Sequence, residues 1–373
     1  MVHEAINPAQ TVRQAWQLGR IARPVPAFCD EMSGANRPDA LDIDRARYRA
    51  RPIHSHRNFP IRTREGSTSS TPRRRCFMEL AIHTWMRSEP LDQAIRRAAD
   101  AGVTALEIAG EPDRFMPKDV GPMLKAAGMR CFGGVTLMME GRSLITPDSA
   151  RREASIQYVK DCVSLVGDLG GEELSVVPGT VGLVVAEGRP EDEWRWAVDS
   201  VSECVEHARS YGLTIAIEPI NRFETYFINR ADQALALAEA VGPDCGICLD
   251  LFHMNMEEDD VLGALRRAAP RLADVHVADN NRMAPGMGTL DWPAIVATLK
   301  DIGYDGPLSI EFCAPVDRTP ANPFPGALDE NPTGVSEEQR KFIEDHGSNL
   351  LSETFYSQLV QTSAETLLPL IGR

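Results

Sequence analysis

No apolar run in the sequence approaches the roughly 18 residues that cross a membrane as a helix, so nothing in it indicates a transmembrane protein. Basic residues are in the minority, with 39 Lys and Arg against 54 Asp and Glu and a formal net charge of −15. Because like charges repel, this balance argues against a nucleic acid or an anionic membrane surface as the main partner. A small neutral or cationic ligand fits better.

Paired cysteine motifs are also scarce. The eight Cys are scattered and no secretory apolar segment is found, so we predict a cytoplasmic location without a disulfide framework. Cys245 and Cys248 form a CxxC pair, but no second pair completes a zinc site, and we interpret both as small apolar residues packed in a strand. The composition, 43% hydrophobic and 25% charged, is that of a globular protein and excludes a disordered or collagen-like one.

Residues 1–77 differ from the rest of the chain. They hold 14 Arg, no Lys and 7 acidic residues, a net charge of +7, which leaves −22 for residues 78–373. The stretch 67–75 is polar and basic, contains Pro and has no periodic apolar face, which is typical of disorder or a linker. The acidic residues weaken the alternative of a transit peptide. We predict a disordered N-terminal extension over 1–77, which non-functional sequence upstream of Met78 would also explain, and a catalytic domain over 78–373.

From residue 78 onward one unit repeats, in which a short β-rich run precedes an amphipathic stretch with apolar residues three and four positions apart. The predicted strands are Glu79–Trp85, Ala105–Gly110, Met129–Val135, Glu173–Gly179, Leu213–Ile220, Gly246–Met254, Ala273–Asp279 and Leu308–Cys313. The predicted helices include Leu91–Ala101, Ala150–Leu169, Glu193–Tyr211, Ala231–Val241, Val261–Ala269 and Trp292–Ile302. Gly102, Gly128, Gly212, Gly242 and Gly303 stand where a helix C-terminus favours a left-handed residue.

Eight strand and helix units predict an α/β fold, the (β/α)8 TIM barrel. The alternative, a doubly wound open sheet, needs fewer strands. Its nucleotide-binding version carries a Gly-rich first turn, whereas the first predicted strand here runs into His83-Thr84-Trp85-Met86-Arg87. The number of strands therefore favours the barrel.

Four consecutive predicted strands end in side chains that can bind a metal. These are Glu218, Asp250, His276 and Glu311, separated by 32, 26 and 35 residues, each about one strand and helix unit. The C-terminal ends of barrel strands share one mouth, where the active site of such barrels lies. A carboxylate in an apolar strand must be paired or coordinated, because its burial is otherwise too costly.

Three carboxylates and one imidazole cannot neutralise one another. Their oxygen-rich donor set suits Mn²⁺, our expected cofactor, with Mg²⁺ or Co²⁺ as alternatives and Zn²⁺ tolerated. The competing interpretation is that Arg side chains or backbone groups satisfy each residue separately. Four such residues in register favour the metal.

Three of these residues are followed, three to six positions later, by a second polar side chain able to hydrogen-bond the hydroxyls of a polyol. These are Glu224, His253 and Arg282. We expect all three in loops above the barrel. The alternatives are a solvated charge for Arg282 and a hydrogen-bonded histidine without a ligand for His253.

Four motifs resemble the xylose-isomerase-like barrels, in particular the D-tagatose/D-psicose 3-epimerases. They are EPINRFE at 218–224, LDLFHMN at 249–255, the stretch 276–288 with its PGMG end, and IGYDG at 302–306 before Glu311. The resemblance covers most of residues 78–313. It implies metal ligands at Glu218, Asp250, His276 and Glu311, sugar contacts at Glu224, His253 and Arg282, and acid/base roles for Glu218 and Glu311.

The implied chemistry is proton transfer beside a carbonyl. A metal stabilises the enediolate formed when the proton leaves, and carboxylates on opposite faces of the sugar allow removal on one face and return on the other. Inversion of that carbon is epimerisation, whereas transfer to the next carbon is aldose–ketose isomerisation, and the motifs do not separate them. We predict a metal-dependent isomerase or epimerase that acts on a sugar and assembles as a homo-oligomer.

A Pro-rich insertion at 314–325, continuing to about His346, departs from the epimerase pattern. Because it leaves the last strand at the catalytic face, we expect it to border the pocket or bind a partner, which favours a substrate larger than a free ketohexose. With the stretches 83–87 and 134–138, this layout also resembles the barrel subunit of bacterial C-glycoside deglycosidases. Such a lyase deprotonates a 3-oxo-glycoside, expels its carbon-linked aglycone and works with a small β-sandwich partner subunit.

Two further classes fit less well. A phosphodiesterase of the endonuclease IV type uses the same barrel but needs several metals and more His ligands, and the acidic body would repel DNA. A non-catalytic sugar-binding protein does not need both Glu218 and Glu311 at a metal.

Overall fold

The computed structural model describes residues 78–139, 141–328, 335–348 and 350–372. The predicted disordered extension over 1–77 lies outside the described residues, so it stays a prediction, as does the domain boundary. Each helix in the described ranges is too short or too polar to span a membrane.

Eight parallel strands close into a barrel in chain order. The strands are β1 Glu79–His83, β2 Ala105–Ala109, β3 Arg130–Val135, β4 Glu173–Val176, β5 Thr214–Ile217, β6 Cys245–Asp250, β7 Leu272–Val277 and β8 Pro307–Ile310. Strand β8 pairs with β1, with Leu80 opposite Leu308, and this pairing completes the ring. The predicted (β/α)8 barrel is confirmed.

Ten helices in the described part of the chain surround the barrel. They are α1 Leu91–Asp100, α2 Pro117–Ala126, α3 Ser149–Asp168, α4 Pro190–Arg209, α5 Ala231–Val241, α6 Leu251–Glu257, α7 Val261–Ala268, α8 Trp292–Asp301, α9 Glu337–His346 and α10 Glu353–Ile371. The last helix packs against α1, α8 and β1. The five glycines predicted to end helices all have positive φ, from 69° at Gly128 to 143° at Gly242.

The largest difference from the predicted elements concerns the sixth strand. The strand predicted over Gly246–Met254 ends at Asp250, and α6 begins at the next residue. Its apolar run cannot distinguish a buried strand from a buried helix by periodicity. The chain turns into a helix because Asp250 is the N-cap, with its Oδ1 accepting a hydrogen bond from the backbone N of Phe252 at 2.7 Å.

Besides α6, two further helices of the described residues were not predicted. Helix α2 has Pro at its start and a second Pro, Pro122, inside it. Helix α9 lies within the insertion after β8 and begins with a capping box formed by Ser336 and Gln339.

Cys245 and Cys248 are buried in β6 and unpaired, which confirms their role in strand packing.

Candidate active site

Two carboxylates converge on one imidazole at the C-terminal mouth of the barrel. His276 lies in β7, paired in register with Asp250 of β6, and Glu218 and Glu311 directly follow β5 and β8. Nδ1 of His276 lies 3.2 Å from Glu218 Oε1 and 2.9 Å from Glu311 Oε2. Ligand atoms about 2.1 Å from a shared Mg²⁺ or Mn²⁺ lie about 3 to 4 Å apart, so these spacings fit a common cation.

Asp250 supplies the third carboxylate. Its Oδ1 caps α6, whereas its Oδ2 is buried without a hydrogen-bond partner among the described residues. Atoms of Glu218, Asp250 and His253 lie within 4.8 Å of one another, as do atoms of Glu218, Cys248 and His276. Glu218 therefore lies close to both Asp250 and His276. Within the described ranges, the four predicted ligands do not together form one group with all ligand atoms within 4.8 Å of one another.

The electrostatics of this group favour a cation. Burial raises the pKa of Asp250 well above its usual value, and the nearby Glu311 adds to the rise. Burial alone would lower the pKa of His276, but the neighbouring Cys248 and the facing carboxylates of Glu311 and Glu218 outweigh it, and the pKa is raised. Burial opposes ionisation of Glu311 as well, yet the rings of His276 and His83 hold its pKa below the usual value.

The residues present fit a divalent cation. Three carboxylates and one imidazole are the donor set that Mn²⁺ and Mg²⁺ accept. The unpartnered Oδ2 of Asp250 also weakens the alternative in which protein groups satisfy each residue separately. A buried carboxylate oxygen without a partner costs free energy, and a cation removes that cost.

His253 was expected in a loop, and the structure corrects this, because it lies in α6 directly after the Asp250 cap. Its Nδ1 accepts a hydrogen bond from the backbone N of Asn221 at 3.2 Å. The ring proton therefore resides on Nε2, which lies 3.5 Å from Asp250 Oδ2. Burial, with a contribution from the charge of Arg282, lowers the pKa of His253 well below its usual value.

Glu224 and Arg282 lie in turns above the barrel, as expected, and they form an ion pair. Arg282 Nη1 donates to Glu224 Oε1 at 2.9 Å, and Asn221 Nδ2 donates to the same oxygen at 2.8 Å. The guanidinium of Arg282 also covers the ring of Phe252, 4.6 Å from its centroid. Arg282 has a φ of 60°, a left-handed conformation that a non-glycine residue adopts at a cost.

A buried carboxylate holds the turn that carries Arg282. Asp279 is fully buried and accepts hydrogen bonds from Trp292 Nε1 at 3.0 Å and from three backbone N–H groups between 2.9 and 3.1 Å. A Cβ at Gly288 would lie 2.1 Å from Asp279 Oδ1, so the close approach requires glycine there. These hydrogen bonds fix the path of the chain between β7 and α8.

Sequence reasoning missed three residues that position the site. Trp85 Nε1 donates to Glu311 Oε1 at 3.0 Å, and Ser175 Oγ donates to Glu218 Oε2 at 3.0 Å. Asn221 joins His253 to Glu224. A signal for Ser175 was available, since it is a polar residue inside the apolar strand β4, one strand away from Glu218.

The polar residues open into a pocket whose other walls are largely apolar. The polar lining includes Glu218, Glu224, His253, Arg282 and Glu311, and the apolar lining includes Trp85, Val135, Leu137, Met138, Val177 and Val181. His346 and Gly347, at the end of α9, also line it. The insertion after β8 therefore borders the pocket, as expected.

Comparison with known proteins agrees with this geometry. L-ribulose 3-epimerase of Mesorhizobium japonicum is 34% identical over 240 residues, which span 62% of this chain and 80% of the relative. D-psicose 3-epimerase of Ruminiclostridium cellulolyticum is 31% identical over 228 residues, 58% of this chain and 76% of the relative.

Solved structures and a family model point the same way. The crystal structure of D-psicose 3-epimerase with D-tagatose from Clostridium cellulolyticum H10 matches with a TM-score of 0.65 and 22% identity, covering 79% of this chain and 99% of that one, which shows a common fold. The family model described as xylose isomerase-like TIM barrel matches residues 95–346. The chain belongs to the xylose isomerase-like TIM barrel family.

Proposed function

We propose that this protein is a divalent-metal-dependent ketose 3-epimerase, whose catalytic domain spans residues 78–373. The two curated relatives named above are both 3-epimerases. The observation that carries the proposal is the approach of Glu218 and Glu311 to the same nitrogen of His276, with both carboxylates lining the pocket. Such a pair supplies one base and one acid to a bound sugar.

Glu218, Asp250, His276 and Glu311 would hold the cation, with Mn²⁺ as the expected ion. When bound, it stabilises the negative charge that develops on substrate oxygens as a proton leaves the neighbouring carbon. Asp250 and His276 are fully buried, so their role is to hold the cation. Glu218 and Glu311 both line the pocket, where they would also contact the substrate.

The protein groups around the two carboxylates prepare them for proton transfer. Ser175 hydrogen-bonds Glu218, and Trp85 hydrogen-bonds Glu311, so each carboxylate keeps one orientation. One removes the proton at C3 of the ketose, and the other returns a proton on the opposite face, which inverts the carbon. His253 and the Glu224–Arg282 pair bind the sugar hydroxyls and hold the carbon between the two carboxylates.

The C-glycoside deglycosidase alternative shares the first step and differs in the fate of the deprotonated sugar. The epimerase names of the relatives favour inversion over elimination. An apolar pocket wall with His346 at its edge is compatible with a substrate that carries a substituent beyond a free ketohexose. Homo-oligomeric assembly and a cytoplasmic location stay predictions.

One experiment separates these outcomes. The protein, loaded with Mn²⁺ after chelator treatment, is incubated in D₂O with a panel of free ketoses and of 3-oxo-glycosides. The proposal expects deuterium at C3 of a ketose together with its C3 epimer. Release of an aglycone without epimer formation, or no exchange with any ketose, would contradict it.

A further inference from the structure

A second group of acidic side chains lies inside the barrel, apart from the mouth. This inner acidic cluster consists of Glu107 on β2, Glu173 on β4 and Asp274 on β7, and all three residues are buried. One ligand atom from each lies within 4.8 Å of the others. Because these strands are not neighbours in the ring, the side chains meet only across the interior of the barrel.

Much of the hydrogen-bonding capacity of this cluster is unused. Both carboxylate oxygens of Glu107 and both of Glu173 are buried without a hydrogen-bond partner among the described residues. Asp274, by contrast, accepts hydrogen bonds from Ser309 Oγ at 3.1 Å and from the backbone N of Val275 at 2.7 Å. Native proteins rarely leave four buried carboxylate oxygens unsatisfied, so these oxygens point to a bound group.

The ring of His83 points independently to a ligand. His83 is 2% exposed, and neither of its ring nitrogens has a hydrogen-bond partner among the described residues. Its Nε2 lies 3.6 Å from Glu107 Oε2, and atoms of His83, Glu107 and His276 lie within 4.8 Å of one another. A buried neutral imidazole has one nitrogen with a free lone pair, which is a metal ligand.

One member of the cluster, Glu173, reaches a cleft at the surface. This cleft of about 650 Å³ also includes Thr214, Leu272 and Tyr304. Since Glu173, Thr214 and Leu272 are the first residues of their strands, this cleft opens at the N-terminal end of the barrel, opposite the mouth. Gly133, paired with Glu173 in register, permits the close approach of the Glu173 carboxylate, because a Cβ there would lie 2.9 Å from Glu173 Oε2.

We propose that the inner acidic cluster is a second cation site, which takes a hard divalent ion such as Mn²⁺ or Mg²⁺ on Glu107, Glu173 and Asp274. Carboxylate oxygens are the ligands such ions prefer. Three carboxylates whose ligand atoms lie within 4.8 Å of one another would place an excess of negative charge inside the barrel. A divalent ion offsets this excess and supplies a partner to all three carboxylates.

His276 separates this site from the mouth. Its Nδ1 faces Glu218 and Glu311, whereas its Nε2 lies 3.2 Å from Asp274 Oδ2 and 3.5 Å from Glu107 Oε2. An imidazole that gives one nitrogen to a metal and donates from the other to a carboxylate is held in one orientation. The inner acidic cluster therefore lies next to His276, a proposed ligand at the mouth, and shares no carboxylate with the mouth site.

The test is anomalous scattering from crystals of the wild-type protein, purified in chelator and then given Mn²⁺ in small excess. We expect one manganese peak at Asp250 and a second among Glu107, Glu173 and Asp274. A peak at the mouth alone would overturn the inference, and ordered protonated carboxyl groups would then explain the cluster. This outcome is independent of the proposed epimerase activity.

Variants give a matched comparison. Glu173→Gln removes one ligand charge at nearly constant volume and should lose the inner peak while keeping the mouth peak, and metal content should fall from two ions per chain to one. Glu172→Gln changes the neighbouring half-exposed carboxylate, which pairs with Arg130, and should keep both ions. Asp250→Asn should keep the inner peak. Retention of both ions by Glu173→Gln would contradict the assignment, and if that variant does not fold, the wild-type density decides.

Discussion

The two carboxylate oxygens of Asp250 have different contacts: Oδ1 caps helix α6, and Oδ2 lies 3.5 Å from Nε2 of His253. One residue therefore ends the strand, starts the helix that carries His253, and presents an unpartnered oxygen to the proposed cation. An amide oxygen can still accept the capping hydrogen bond, whereas an amide cannot replace the carboxylate as a metal ligand. The folding role of the residue can therefore be tested separately from its ligand role.

Asp250→Asn should therefore retain the fold and lose the metal ion at the mouth of the barrel. The amide oxygen still caps α6, and removal of a buried charge leaves the metal-free variant at least as stable as the metal-free wild type. A ligand at about 100 times its dissociation constant stabilises a protein by about 2.7 kcal/mol, so Mn²⁺ should raise the melting temperature of the wild type. Calorimetry with and without Mn²⁺ should show a smaller rise in the variant, which keeps only the ion at the inner acidic cluster. An equal rise in both would mean that Asp250 is not a ligand.

Arg282 permits a test that separates its side chain from its backbone. Arg282→Gly and Arg282→Ala both remove the ion pair with Glu224, and we expect KM for the sugar to rise at least about tenfold in both, since a lost hydrogen bond to a charged group costs about 1.5 to 3 kcal/mol. The φ of 60° suits glycine, whereas alanine pays about 1 kcal/mol there.

Urea unfolding should accordingly find the alanine variant the less stable of the two, at similar KM. An unchanged KM in both variants would remove Arg282 from the sugar contacts.

The hydrogen bonds to Asp279 predict a pH-dependent stability. Burial opposes its charge, but the four donors, led by Trp292, lower its pKa below the ordinary value of about 3.9. Its stabilisation is therefore fully present above about pH 4 and is lost as the pH falls through the lower folded-state pKa.

Asp279→Asn should cost about 2 kcal/mol or more at pH 7, since a hydrogen bond to a charged group contributes about 1.5 to 3 kcal/mol. Urea unfolding of both proteins from pH 7 to pH 2.5 should show a constant difference that shrinks below about pH 4. A difference that grows in acid would contradict this account.

Deletion of residues 1–77 should leave kcat, KM and melting temperature essentially unchanged, because all the proposed site residues lie in the barrel. Kinetics and calorimetry on the full chain and on residues 78–373 check this. A large loss of activity or stability would show that the N-terminal segment is structural.

The barrel was predictable because its signals are local and repeated. Alternation of apolar runs with amphipathic stretches, and glycines such as Gly102 and Gly303 at helix ends, appear in the sequence without any knowledge of contacts. Strand ends were less predictable. An apolar stretch such as 249–254 has no periodicity that marks where β6 stops, and the capping hydrogen bond of Asp250 decides it.

The proposed metal ligands were predictable from the sequence, whereas the residues that hydrogen-bond to them were not. Glu218, Asp250, His276 and Glu311 are visible as charged residues at strand ends spaced by one unit each. The hydrogen bonds from Trp85 to Glu311 and from Ser175 to Glu218 join residues 226 and 43 positions apart, and only the closed ring brings them together. The inner acidic cluster was missed for the same reason.

Glu218 and Glu311 remain the centre of the proposed reaction, and their removal tests it most directly. Glu218→Gln and Glu311→Gln keep the size of each side chain and remove its ability to exchange a proton, for which general acid–base catalysis contributes about 10² to 10⁴ in rate. The matched control is Glu257→Gln, at a carboxylate that pairs with Arg222.

The measurement is deuterium incorporation at C3 of a ketose substrate in D₂O with Mn²⁺, with circular dichroism to verify folding. The account predicts that both site variants lose exchange and epimer formation by about 10² or more, while Glu257→Gln keeps the wild-type rate. Exchange at the wild-type rate in both Glu218→Gln and Glu311→Gln would contradict it.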